Sequence, residues 1–152
     1  MKAAMDAAAL TADLCRVFEG LRLKPYLCPA GYPTIGFGIV NKPDGTQVKM
    51  TDPPITRETA EEWLILTIKR DYMPGVLKAS PILAAHPQRL AAMTDFAFNL
   101  GLARYRASTL RRRVDAEDWE GVKEELMKWT RGGGRVLPGL VKRRAAEAAL
   151  MG

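Results

Sequence analysis

A chain of 152 residues, 47% hydrophobic and 26% charged, is long enough to bury a core and has the composition of an ordinary globular protein, which excludes a disordered one. No apolar run approaches the ~20 residues of a membrane span, and two cysteines with one histidine argue against a disulfide framework, a zinc site or a His-dependent triad. The net charge of +6 is uneven: residues after 100 hold 12 Lys/Arg against 7 Asp/Glu, so a polyanionic partner (cell wall, acidic lipid or nucleic acid) competes with a merely solvated helical surface.

In chain order, Met1 to Leu10 carries Lys2, Asp6 and several alanines and lacks the apolar core and cleavage site of a secretory signal, so the chain is expected to be made and left in a cytoplasm. Leu10, Leu14, Val17, Phe18 and Leu21 recur at helical spacing and predict a helix from Thr11, as N-cap, to Glu19, with Gly20 as its left-handed stop and Glu19 pointing off the apolar stripe. From Pro25 the character changes. Eight Gly or Pro residues precede Pro53-Pro54, separated by short apolar pieces (Tyr26-Leu27, Thr34 to Phe37, Gln47-Val48), which predicts a small antiparallel sheet with a turn at Pro43-Asp44-Gly45. Thr56 caps the next helix, striped by Trp63, Leu64, Thr67 and Ile68 and ended or kinked at Pro74.

His86 reads as a turn residue before a helix from Pro87 to Leu100 that buries Leu90, Met93, Ala97 and Phe98 and stops at Gly101. Shorter helices follow near Ala107–Val114 and Glu117–Lys128, the latter striped by Trp119, Val122 and Leu126. Arg131 to Arg135 reads as a loop, and Gly139–Met151 as a basic helix. The fold class expected is α+β and two-lobed: a single domain over 1–152, with a small β lobe over about 20–56, a linking helix over about 57–80 and a larger helical lobe over about 81–152. A cleft between lobes is a natural ligand site.

The segment from Glu19 to Gly38 carries the chemistry. A carboxyl at a helix end precedes a Gly/Pro-rich turn with Cys28 and a strand-like Thr34-Ile-Gly-x-Gly38. Glycosidic cleavage needs a proton donor at the leaving oxygen, kept protonated by a partly apolar pocket, and a second group to direct water or attack. Phe18 and Leu21 are the candidates for such a pocket around Glu19.

Glu19, then eight residues, Cys28, then five residues, Thr34, resembles the Glu-x8-Asp/Cys-x5-Thr signature of the phage lysozymes of glycoside hydrolase family 24. The similarity continues in Phe96 to Gly101, Ser108 to Leu110 and Trp129 to Arg144, nearly the whole chain. The resemblance implies a lysozyme-like fold and hydrolysis of the β-1,4 bond between N-acetylmuramic acid and N-acetylglucosamine in the peptidoglycan glycan strand. It makes Glu19 the general acid and has Cys28 and Thr34 orient or activate water, with no cofactor and no metal.

Cys28 stands where many such lysozymes carry Asp, and an unperturbed thiol is mostly neutral at pH 7, so it serves as base only if its thiolate is stabilised. Cys15, one helical turn before Glu19, is either a small core residue or the partner of Cys28 in a blocking disulfide. The family's usual His after Gly-x-Gly is Ile39, which removes any lobe-bridging ion pair from that position. Three further readings stay open: a lytic transglycosylase on the same scaffold, an inactive wall-binding module, and a basic helical protein gripping nucleic acid through Arg104, Arg106 and Arg111 to Arg113. A nucleic-acid partner is not expected, since no aromatic-basic recognition motif accompanies those charges. Lys142, Arg143 and Arg144 offer a basic tail for anionic envelope surfaces. The protein is expected to be a monomer that reaches periplasmic peptidoglycan after a helper opens the membrane.

Overall fold

The computed structural model describes residues 6–152; the expectation about an export signal falls partly on residues outside that range. Helix α1 spans Ala7–Glu19 and starts one turn earlier than the sequence predicts. Its cap is Asp6, whose Oδ1 accepts from the backbone N–H of Ala8 and Ala9 at 3.0 and 3.2 Å. Thr11 lies inside the helix instead, donating its hydroxyl to Ala7 O at 2.9 Å and lying 3.3 Å from Ala91 O. The buried face is also different. Ala8, Thr11, Ala12 and Cys15 are buried, whereas Val17 is 73% exposed. Small side chains let α1 approach the central helix closely, a preference that a count of bulky apolar residues misses.

Gly20, at φ 72°, ends α1 and turns the chain into a β-hairpin, β1 (Arg22–Leu27) and β2 (Pro33–Gly36). The strands pair antiparallel with Tyr26 opposite Thr34 and Leu27 opposite Pro33, and the register shifts between Arg22 and Tyr26. Pro25 has no N–H to give a ladder, and within this irregular stretch Leu23 O accepts from Ile55 N at 2.9 Å. After β2 the chain reverses over Gly36–Phe37–Gly38, closed by paired bonds between Ile35 and Ile39 at 2.9 Å. Phe37 and Ile39 are then buried, and further bridging between Asn41 and Gln47 spans the Pro43-Asp44-Gly45 turn.

Thr56 caps α2 (Arg57–Thr67), accepting from Thr59 N as the sequence predicts. The helix widens into a π turn over Ile68–Tyr72, where Met73 N reaches back to Ile68 O, and continues as α3 (Met73–Ala79). Pro74, in the first turn of α3, cannot donate to the preceding turn, so it deforms the helix rather than ending it. A short 3-10 turn over Pro81–Ala85 leads to α4 (Pro87–Leu100), buried without a break from Leu90 to Ala97. Phe98, expected in the core, is only half-buried and packs against Tyr72, ring centroids 5.1 Å apart.

Around α4 pack α1, α3, α5 (Leu102–Ala107), α6 (Thr109–Asp115), α7 (Trp119–Leu126) and α8 (Pro138–Met151), enclosing the main core of Val76, Leu83, Met93, Phe96, Tyr105, Leu110, Val122 and Leu126. A second, smaller core joins α1 and α2 to Phe37. The predicted loop at Arg131 to Arg135 is a minimal hairpin, β3 (Arg131–Gly132) and β4 (Arg135–Val136), closed by Gly133 and Gly134 at φ 60° and 82°. The architecture is α+β and two-lobed, a small hairpin lobe and a larger helical lobe linked by the long α2–α3 rod. Among the described residues no helix is long and apolar enough to cross a membrane.

Candidate active site

Glu19 is the last residue of α1, where exposed carbonyls make an acid locally unfavourable. Tertiary contacts hold it there. Arg143, on α8, donates from Nη1 to Glu19 Oε2 at 2.5 Å, and the Glu19 side chain keeps 21% of its exposure. On the other side Gly38 closes in. A Cβ on Gly38 would stand 2.7 Å from Glu19 Oε1, and the residue has φ +74°. The Gly-x-Gly run therefore does two jobs: it makes the reversal after β2, and it lets backbone approach a carboxyl. The apolar pocket expected from Phe18 and Leu21 is replaced by an ion pair, with the Phe18 ring 5.6 Å from the Arg143 guanidinium.

The hairpin brings the other two sequence candidates together. Cys28 follows β1 and Thr34 lies on β2, and the turn between them is closed by Cys28 N to Tyr32 O at 3.0 Å and Gly31 N to Cys28 O at 2.8 Å. The Cys28 thiol is held below its ordinary range, chiefly by the backbone N–H of Tyr32 and, against some desolvation, by those of Ala30 and Gly31 and the Thr34 hydroxyl. Thr34 is buried, and its hydroxyl donates to Tyr32 O at 2.8 Å. It has one proton, so a bond to a Cys28 thiolate would compete with the one to Tyr32. Both cysteines are free; Cys15 is buried and Cys28 half-buried, and no disulfide joins them.

Tyr26 was visible in the sequence only as a strand residue. Burial first, then the charge of Glu19, raises its hydroxyl above the ordinary range, and strand pairing sets it opposite Thr34. Tyr72, on the π turn, is raised by burial first, then by Asp71 and Glu19. Beside Glu19 a small cavity of about 40 Å³ is lined by Gly38, Val40, Asn41, Thr67, Tyr72 and Phe98, and adjoining depressions share Val40, Asn41 and Tyr72. One depression reaches Tyr32 and Pro33, next to Thr34. Glu19, Cys28 and Thr34 themselves line none of these depressions, which flank the site through Gly38 on one side and Tyr32-Pro33 on the other.

Behind Glu19 lies a buried network that the sequence did not disclose. Arg143 donates from Nε to Asp95 Oδ2 at 2.9 Å and from Nη2 to Asp95 Oδ1 at 2.8 Å. Cys15 Sγ lies 3.5 Å from Asp95 Oδ1, and Arg144 pairs with Glu147 and with Asn99. Arg143 and Arg144 are 3% and 0% exposed, which withdraws them from the basic surface tail predicted for α8 and leaves Lys142 alone of the three at the surface. Among the described residues no cluster of His, Cys, Asp and Glu is arranged to hold a metal ion.

The family model "Phage lysozyme" matches residues 16–147 of the chain. An endolysin of Acyrthosiphon pisum secondary endosymbiont phage 1 is 34% identical over 141 residues, covering 90% of this chain and 91% of that protein. Among solved structures, an endolysin from Escherichia coli O157:H7 phage FAHEc1 superimposes with a TM-score of 0.81 at 29% identity, covering 99% and 96% of the two chains. The muramidase domain of SpmX from Asticaccaulis excentricus superimposes with a TM-score of 0.72 at 26% identity over 93% of each.

Proposed function

The chain belongs to the phage lysozyme family and is a peptidoglycan hydrolase of the endolysin type, and we propose that it cuts the β-1,4 bond between N-acetylmuramic acid and N-acetylglucosamine, with Glu19 as acid and Cys28 and Thr34 directing water. The observation that carries this reading is the carboxyl at the end of α1, held by Arg143 and closely approached by Gly38, followed directly by a hairpin whose register brings the Cys28 turn beside Thr34. Glu19 gives its proton to the glycosidic oxygen as the C1–O bond breaks. Water held at Thr34 and Cys28 forms the new bond to C1 and releases its proton to the sulfur. Exchange with solvent then returns a proton to Glu19 and takes one from the thiol, restoring the thiolate.

The backbone N–H groups around Cys28 answer the objection that a thiol is a poor stand-in for a carboxylate, because they supply the charge stabilisation that an Asp would not need. The protein acts on the glycan strand itself, at the wall, once the host membrane has been opened.

The test is clearing of purified peptidoglycan by wild type, Glu19→Gln, Cys28→Ser, Cys28→Asp and Thr34→Ala. Glu19→Gln should lose roughly 10²-fold to 10⁴-fold of the rate, the usual worth of a general acid, while Cys28→Asp retains substantial activity. Clearing by Glu19→Gln at the wild-type rate would sink the assignment. Mass spectrometry of the products should show reducing muramic ends; anhydro ends would mean that water takes no part and that positions 28 and 34 do not serve the chemistry.

A further inference from the structure

The function proposed above leaves unexplained why a strongly basic group sits on the carboxyl that must donate a proton. A full positive charge at hydrogen-bond distance favours the ionised form of an acid, which is the wrong form for a donor. The surroundings of Arg143 offset this. Nε and Nη2 each donate to Asp95, Nη2 also lies 4.0 Å from Cys15 Sγ, and only Nη1 faces Glu19. Asp95 is completely buried on α4, and no water competes for it.

We propose that Asp95 is the positioning residue of the catalytic acid: by holding two nitrogens of Arg143, it fixes the guanidinium against Glu19 while neutralising its charge. Glu19 then meets the end of a neutral Arg–Asp pair rather than a bare cation. The inference rests on Glu19 being the acid and adds the reason why it works beside an arginine.

The other groups around the pair leave this balance intact. From α1, Cys15 faces Asp95, and burial first, then Asp95, raises its thiol so far that it stays neutral. From α8, Arg144 is engaged with Glu147 and Asn99. Glu147 is itself driven towards its neutral form, by burial first and then by Asp95. Tyr26 from β1 and Tyr72 from the π turn are raised and stay uncharged. Burial pushes the Asp95 carboxyl up, but the hydrogen bonds and charge of Arg143 overcome that and hold it below the ordinary range. Asp95 is therefore charged throughout the range in which a lysozyme works.

The experiment is the pH dependence of kcat/KM for wild type, Asp95→Asn and Glu19→Gln on a soluble glycan. An amide at position 95 still accepts from Arg143 through one oxygen but carries no charge. The alkaline limb, where the acid is lost, should move to lower pH by roughly one unit, with about a tenfold loss of activity on that limb, as expected for removing a charge a few ångströms from the acid. A merely structural Asp95 would lower the melting temperature and leave the limb in place. A folded Asp95→Asn protein with an unmoved limb overturns the proposal while Glu19→Gln remains inactive; an active Glu19→Gln protein overturns the function reading instead. Should Asp95→Asn fail to fold, carboxyl ¹³C titration of the wild type decides: Asp95 must stay charged across the pH range in which Glu19 titrates, and protonation of Asp95 at or above that range refutes it.

Discussion

Replacing Glu147 by glutamine should stabilise the protein, and increasingly so as pH rises. Glu147 is fully buried on α8, its Oε2 accepting from Arg144 Nη2 at 3.0 Å, while Oε1 lies 2.7 Å from Arg144 Nε without hydrogen-bond alignment. Burial and the neighbouring Asp95 carboxylate push its carboxyl well above the ordinary range, which favours a proton there in the folded protein. In the unfolded chain a glutamate loses that proton near pH ~4.3. Between the two values the folded state binds the extra proton, and stability therefore falls with rising pH, by up to about 1.4 kcal/mol per pH unit. For a chain of this length the slope corresponds to roughly 3–5 °C in Tm per unit. Asp95, held below its unfolded value, contributes stability that is complete above that value and lost only in stronger acid, outside this window.

A glutamine copies the neutral acid: it accepts from Arg144 through its oxygen and does not titrate. Thermal melts of both proteins between about pH 4 and about pH 8 should coincide near the acid end and diverge above it, the variant melting higher. If the variant instead melts lower, with a deficit that grows as pH rises, Glu147 carries a charge paired with Arg144 and the reasoning is refuted.

Gly38→Ala should combine a backbone penalty of ~1–3 kcal/mol for a side chain at φ +74° with displacement of the Glu19 carboxyl, since the new Cβ would stand 2.7 Å from Oε1. Thermal melting and wall clearing should both fall. Gly45→Ala, at φ +89° with nothing within 4 Å, should cost stability alone, and equal clearing by the two variants would refute the close-approach argument. Thr67→Val removes a buried hydroxyl that has no partner among the described residues, so stability should hold or rise by about 1 kcal/mol. A clear drop in Tm for this near-isosteric change would show that the hydroxyl is satisfied in solution.

Local signals in the sequence located the elements whose ends are marked by chemistry. The Thr56 cap, the stops at Gly20 and Gly101, and the strand pieces around Tyr26 and Thr34 all fall where turn and cap residues put them. What failed was the choice of face on α1. Ala8, Thr11, Ala12 and Cys15 are buried because α4 can approach closely over small side chains, whereas the bulkier Val17 points to solvent. The widening of the rod over Ile68–Tyr72 was also invisible, since Pro74 signals a disruption without saying whether the helix stops or absorbs it.

The same division between local and distant information governs the site. The spacing of Glu19, Cys28 and Thr34 is a property of one short segment, and the hairpin register that joins Cys28 to Thr34 follows from it. The partners that set the chemistry of Glu19 come from α4 and α8: residue type alone misread Arg143 and Arg144 as a basic surface, and no local signal singled out Asp95. Burying such charges is costly unless each is matched. With Glu147 driven towards its neutral form, Asp95 is matched by Arg143, and Arg144 is held by hydrogen bonds to Asn99 and Glu147. On the proposed arrangement Glu19 meets Arg143 as the outer end of a matched pair, so the carboxyl can hold its proton until the leaving oxygen takes it.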